Sequence, residues 1–449
     1  MQRKLVWLMM VLVLGLVAAV SAPAGGEAAV PAGLSAADWA QIKSQLPPPA
    51  LVTELELAKL TASDPAADEW FSYSVSVSGD TAVVGAYGKD DDHGAAYIFV
   101  YSGESWSQQA KLTASDRMPT DWFGYAVAIS GDTAVIGAIG DDDDGTESGA
   151  AYVFGRSGGS WTELAKLTAS DPAPNDRFGH AVAVNGHTAI IGVPKDADNG
   201  AESGSAYIFV GDGANWTEQA KLTANDAAEG DLFGLAVSIS GETAVVGAYG
   251  DDDDGVDSGS AYVFVRSGTN WSQQAKLTAS DAIVQQTFGT SVAVSGDTAV
   301  IGAPLDDAGG IFSGAAYVFV RSGTSWSEQA KLTASGASPS AWFGRAVAIS
   351  GDKIIVGAIL EDTDSPHSSG AAYLFGRSGA TWSQQAKLTA SDAAALDQLG
   401  TAVAISGNTA IAGAPYAGEG GSASGSVYVF ASPNPPISSY TVYLPLVVR

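Results

Sequence analysis

Two runs of four aspartates, Asp141–Asp144 and Asp251–Asp254, are the densest chemistry in this 449-residue chain, and each runs into a glycine, Gly145 or Gly255. Carboxylates on a glycine-containing loop supply the oxygen ligands of a hard cation, so weak Ca²⁺ binding at these eight residues is the one cofactor expectation. The register is not that of an EF-hand: with Gly145 in the sixth position, the first is Gly140 rather than an aspartate. The alternative is that both runs are solvated turns that keep a β-rich protein soluble. Other chemistry is sparse. With no cysteine, thiol catalysis and thiolate metal sites are excluded, and the four histidines (His93, His180, His187, His367) share no metal-ligand spacing. An extracellular hydrolase or lyase would have to draw a carboxylate pair from the same acidic loops, where nothing marks one pair. The chain therefore reads as a binding protein and not an enzyme. Its 49 Asp and Glu against 21 Lys and Arg give a net charge of -28, which repels phosphate backbones and excludes nucleic acid as a partner.

The acidic loops belong to a repeat. The segment AKLTASD or a close variant recurs with its lysine at Lys59, Lys111, Lys166, Lys221, Lys276, Lys331 and Lys387. Within each period four pieces follow in order, exemplified by Phe123–Ile129, Thr133–Ala138, Gly149–Phe154 and Trp161–Thr168. Each is five to eight residues long and rich in Val, Ile, Tyr and Phe, as strands are. Gly131-Asp132 between the first two signals a tight hairpin of the II′ kind, so each repeat is an antiparallel meander with strands A, B, C and D. Strand A alternates large and small residues, as in Phe178, His180, Val182 and Val184 against Gly179, Ala181 and Ala183, and is expected to be innermost and buried on both faces. The seventh set lacks strand D, and an unpaired D strand, Leu51–Thr61, precedes the first A. The expected fold is all-β: a seven-bladed β-propeller of four-stranded antiparallel blades, closed by the N-terminal strand.

In such a meander the D-to-A and B-to-C connections leave on one face, and these connections carry most of the acids. The residue after the Phe-Gly that opens strand A sits near the axis of that face. It changes from blade to blade while its neighbours repeat: Tyr73, Tyr125, His180, Leu235, Thr290, Arg345 and Thr401. Tyr73, Tyr125, His180, Leu235 and Arg345 are accordingly the candidate ligand contacts, the alternative being relaxed packing at a tolerant position.

Phe123-Gly124 opening strand A and Gly137-Ala138 ending strand B, with Phe288-Gly289 and Gly302-Ala303-Pro304 as the fullest example, resemble the FG-GAP repeat of integrin α-subunit headpieces and many bacterial surface proteins. The resemblance covers Leu51 to about Ala431 and drifts at Phe71-Ser72, Leu399-Gly400 and Val193. It implies a propeller used extracellularly for ligand binding or adhesion, with a protein or glycan as partner. The calcium-binding members carry an Asp-rich loop between the FG and GAP strands; here that place holds only the Ser130-Gly131-Asp132 hairpin, so their calcium site does not carry over.

The flanks differ from the repeats. Met1 to Lys4, the apolar run Leu5–Val20 and Ala22-Pro23-Ala24 have the pattern of a secretory signal peptide ending at residue 24, too short to span a bilayer. Residues 25–50 read as a short helix, capped at Ser35 and Asp38, and a Pro-rich linker; 51–431 are the ring; 432–449 are a Pro/Ser linker and tail. The expectation is a secreted or cell-surface protein whose mature chain has no membrane span and is a monomer.

Overall fold

The computed structural model describes residues 56–432, apart from 214, 362–367 and 419. The leader, the short helix and the C-terminal tail fall outside the described residues. Within them, 28 strands form seven four-stranded antiparallel sheets, each a blade. In blade two the order is A (Phe123–Ser130), B (Thr133–Ala138), C (Ala150–Ser157) and D (Ser160–Leu167). The A–B hairpin turns on Gly131, left-handed at φ 59°, followed by Asp132, which is not; that is the type II′ pattern. Blade seven takes A (Val403–Ser406), B (Thr409–Ala414) and C (Ser426–Ala431) from the end of the chain and its outer strand, Glu56–Leu60, from the start. Lys59 pairs with Tyr428 and Leu60 with Val427, so the ring closes without a free edge on strand C.

The Phe-Gly and Gly-Ala pairs acquire a physical cause. Phe123 is fully buried and meets the rings of Tyr152 and Phe154 edge-on at 5.5 and 6.0 Å, anchoring strand A on strand C of its own blade. The glycine after it is the third residue of a type II turn: from Gly124 to Gly400 these glycines have φ between 91° and 96°. It is also where neighbouring blades touch. A Cβ on Gly137, in strand B of blade two, would lie 2.0 Å from the carbonyl oxygen of Gly179, which opens blade three. The same glycine-on-glycine contact joins six blade pairs, and at the seventh Gly413 faces Ser72. Between blades one and two, Val83, Ile98, Phe123, Ile136 and Tyr152 share one apolar cluster, each large side chain contributing roughly 1.5–3 kcal/mol through burial.

One expectation needs correcting. The doubly buried strand is B, every residue of which is buried in Thr188–Val193, whereas Ala181, Val182 and Ala183 of the adjoining strand A are only half-buried. Strand A lines the axial channel with one face, so its small residues are set by the approach of the next blade and not by burial on both sides.

Candidate functional site at the axial mouth

Each Phe-Gly turn presents the residue that follows it. The turn is closed by a backbone hydrogen bond of 3.1–3.2 Å from that residue's N–H to the carbonyl three residues earlier, as from His180 to Arg177 and from Arg345 to Trp342. Its first residue is left-handed in every blade (Trp70, Trp122, Arg177, Leu232, Thr287, Trp342, Gln398), a repeated departure from the ordinary L-residue basins that aims the fourth residue at the axis. Tyr73, Tyr125, His180, Leu235, Thr290, Arg345 and Thr401 converge there and line one cavity of about 260 Å³. The five residues expected as ligand contacts are therefore brought together, along with the two threonines.

The cavity is two-sided. Tyr73, Tyr125 and His180 form a ladder with ring centroids 5.2 Å apart at each step, and Tyr87 packs on both tyrosines at 4.8 and 5.6 Å. The Tyr73 hydroxyl donates to the Tyr125 hydroxyl at 3.5 Å, and Tyr125 Oη lies 3.4 Å from His180 Nε2. Read in that direction, Tyr125 donates to Nε2, which leaves the proton of the neutral ring on Nδ1. Burial pushes the imidazole pKa down to about 4; the backbone of Leu235, as a hydrogen-bond acceptor, opposes this, and the charges of Arg177, Arg345 and Lys195 add to it. His180 Nδ1 is itself fully covered, with the Leu235 backbone as the acceptor it feels and no close hydrogen bond. Opposite stand Thr290 and Thr401, whose hydroxyls donate to the carbonyls of Thr287 and Gln398 and so offer only lone pairs to the cavity.

The aspartate runs are arranged otherwise. Asp141 is buried, and its carboxylate accepts from Tyr152 and lies 2.8 Å from Lys166 Nζ. The same ammonium reaches Asp143 at 2.6 Å and Asp116 at 2.9 Å, and sits over the Tyr152 ring. Asp142 instead accepts the Glu147 N–H, and Asp144 is exposed. Lys276 repeats the arrangement with Asp226, Asp251 and Asp253, and Asp252 accepts the Asp257 N–H. Each aspartate run is divided rather than convergent: its first and third residues join an acid from the preceding D-to-A loop. The three carboxylates of each group come close enough for one metal ion, but it is the repeat lysine that they hold. Burial works against the Lys166 ammonium, yet Asp141, Asp143 and Asp116 outweigh it and keep its pKa well above the ordinary lysine range.

The sequence shows Lys166 only as the marker of the period and Tyr152 only as a strand residue, each recurring in all seven repeats, and nothing in it marks either as a partner of the acids. A second row of buried acids, Asp121, Asp176 and Asp231, accepts N–H groups of Met118, Ala173 and Ala228. Burial raises these three carboxyls to about 6, with Asp141, Asp196 and Asp251 nearby adding to the rise. Arg156, on strand C, lies on the opposite face, where it pairs with Asp132 of the A–B hairpin and donates to Thr81 of the preceding blade.

The FG-GAP repeat model matches seven times, at residues 55–99, 106–154, 161–209, 216–264, 271–319, 326–375 and 382–430. No curated protein matches the chain. A crystal structure of Sqt1 from Saccharomyces cerevisiae superposes with a TM-score of 0.46 at 11% identity, over 85% of this chain and 100% of that one. With all seven blades matched and the Phe-Gly and Gly-Ala contacts accounting for the motif, the chain belongs to the FG-GAP repeat family.

Proposed function

We propose that the ring is a non-catalytic binding scaffold that takes its ligand at the axial mouth on the acidic loop face. The observation that carries this reading is that one structural position, held by the same turn in all seven blades, bears Tyr, Tyr, His, Leu, Thr, Arg and Thr where its neighbours repeat. A ring that needed only closure would place packing residues there; seven dissimilar side chains around one cavity make an asymmetric receptor inside a symmetric frame. The leader pattern adds secretion or surface display, with an extracellular protein or glycan as ligand and adhesion as the role. Glycan and protein arrays probed with the purified ring and with a Y125A/R345A variant test it. Binding that the variant retains in full rejects the mouth as the site.

Calcium at Asp141–Asp144 and Asp251–Asp254 is a second proposal, favoured by the two carboxylate triads. There the ion competes with a covalently supplied cation, so binding is weak and gains where the lysine is absent.

A further inference from the structure

Arg345 is anomalous in this molecule. Among the described residues, it and Lys353 are the basic side chains without an ion pair. Lys353 is satisfied by Asn408 and by the carbonyls of Gly407 and Ser432. Among the described residues the Arg345 side chain has no hydrogen-bond partner. In a chain of net charge -28 an unpaired guanidinium on the acidic face needs a reason. It lines the axial mouth, where no Asp or Glu does, and its charge is felt by Tyr125 and His180 across the cavity. The positive charge is therefore kept from the surrounding carboxylates and left facing an aromatic wall.

We propose that the axial mouth is a receptor for a carboxylate-bearing sugar, with the carboxylate on Arg345 and the pyranose ring against Tyr73 and Tyr125. This rests on the mouth being the ligand site and adds the chemical class. A guanidinium presents paired N–H donors that match a carboxylate. Thr290 and Thr401, their own protons directed to backbone carbonyls, accept from sugar hydroxyls. Donors, acceptors and a flat aromatic face together suit a polyhydroxylated ring better than an apolar anion. At about 260 Å³ the mouth is smaller than the clefts that enclose drug-sized ligands, so it takes one sugar residue end-on and not a chain.

The test is a ligand-detected NMR titration at fixed ionic strength with glucuronate, glucose and acetate as probes, on the parent ring and on R345Q and Y125A. Glucuronate should bind the parent roughly tenfold more tightly than either glucose or acetate, because only it uses both halves of the site. R345Q should reduce glucuronate to the level of glucose, and Y125A should weaken both sugars while acetate changes little. Circular dichroism and thermal melts establish that each variant is folded; if Y125A unfolds, Y125L takes its place. Equal binding of glucuronate and glucose, or full binding by R345Q, overturns the acidic-sugar assignment but leaves the mouth as a site if Y125A still weakens binding. Sugar binding that neither variant alters, or no binding of any probe, overturns both.

Discussion

Ser72 stands where the other six blades have the glycine of Phe-Gly, and it carries two unfavourable features that a single substitution removes. Its backbone is left-handed at φ 78°, and its buried hydroxyl has no hydrogen-bond partner. A left-handed L-residue costs about 1–2 kcal/mol, and an unsatisfied buried hydroxyl about 1–3 kcal/mol. Glycine returns about 0.5–1 kcal/mol of this through the greater freedom of the unfolded chain. Ser72→Gly should therefore stabilise the ring by about 2 kcal/mol, a gain in a protein in which most substitutions destabilise. Ser72→Ala separates the contributions: it removes the hydroxyl but keeps Cβ and the strained φ, so it should gain about 1 kcal/mol. The converse substitution, Gly179→Ser, meets the Ala150 carbonyl oxygen 2.4 Å from its Cβ and adopts φ 91°, and should cost about 3 kcal/mol. Thermal and urea unfolding of the four proteins should rank Ser72→Gly above Ser72→Ala, the parent and Gly179→Ser. A Ser72→Gly variant no more stable than the parent would refute the strain account of the blade junction.

Other expectations follow from the same geometry. Asp121, Asp176 and Asp231 are raised to about 6 by burial, so the folded state holds their protons more tightly than the unfolded state; their contribution is full below the unfolded carboxylate pKa and lost as pH rises through 6. Urea unfolding should show stability increasing from pH 7.5 to pH 5 by on the order of 1 kcal/mol per carboxylate, partly offset by His180, whose depressed pKa of about 4 works in the opposite sense. The D121N/D176N/D231N protein should lack that increase, and an unchanged profile counts against the assignment. For calcium, K166M and K276M should enlarge the Ca²⁺-induced rise in melting temperature over the parent, and conversion of Asp141–Asp144 and Asp251–Asp254 to Asn should abolish it; equal responses in all three proteins would leave the acids as lysine ligands only. Deletion of residues 1–61 strips blade seven of its outer strand and should produce a lower-melting, self-associating protein, whereas an unaltered monomer would refute closure by that strand.

How much of this was legible in the sequence depended on whether a feature repeats. Phe123-Gly124 and Gly137-Ala138 were readable because each blade junction imposes the same backbone approach, and the missing seventh D strand was readable because closure demands a fourth strand from somewhere. The mouth was legible by the opposite sign, variation at one register position amid repetition. Within Asp141–Asp144, nothing local shows that Asp141 turns inward to Tyr152, Asp142 caps its own loop and Asp144 faces water. That division is set by Lys166 and Asp116, which lie outside the loop and meet it only when strand D folds back. Lys166 was visible as a marker of the period, but its role as an internal cation was not, because a lysine on an exposed-looking strand carries no sign of the acids above it. Tyr87 joined the aromatic wall unannounced: it follows strand B of blade one at a place where the other blades have Ile, Pro or, in blade four, Tyr249.

The central claim is that ligand binding belongs to the axial mouth and not to the acidic loops around it. The most direct measurement compares three proteins on one glycan array: the parent ring, the mouth variant Y125A/H180A/R345A, and a loop variant with Asp142, Asp144, Asp252 and Asp254 changed to Asn. The expected result is that the glycans bound by the parent are lost by the mouth variant and retained by the loop variant, with acid-bearing termini foremost among them. Retention by the mouth variant and loss by the loop variant would contradict it.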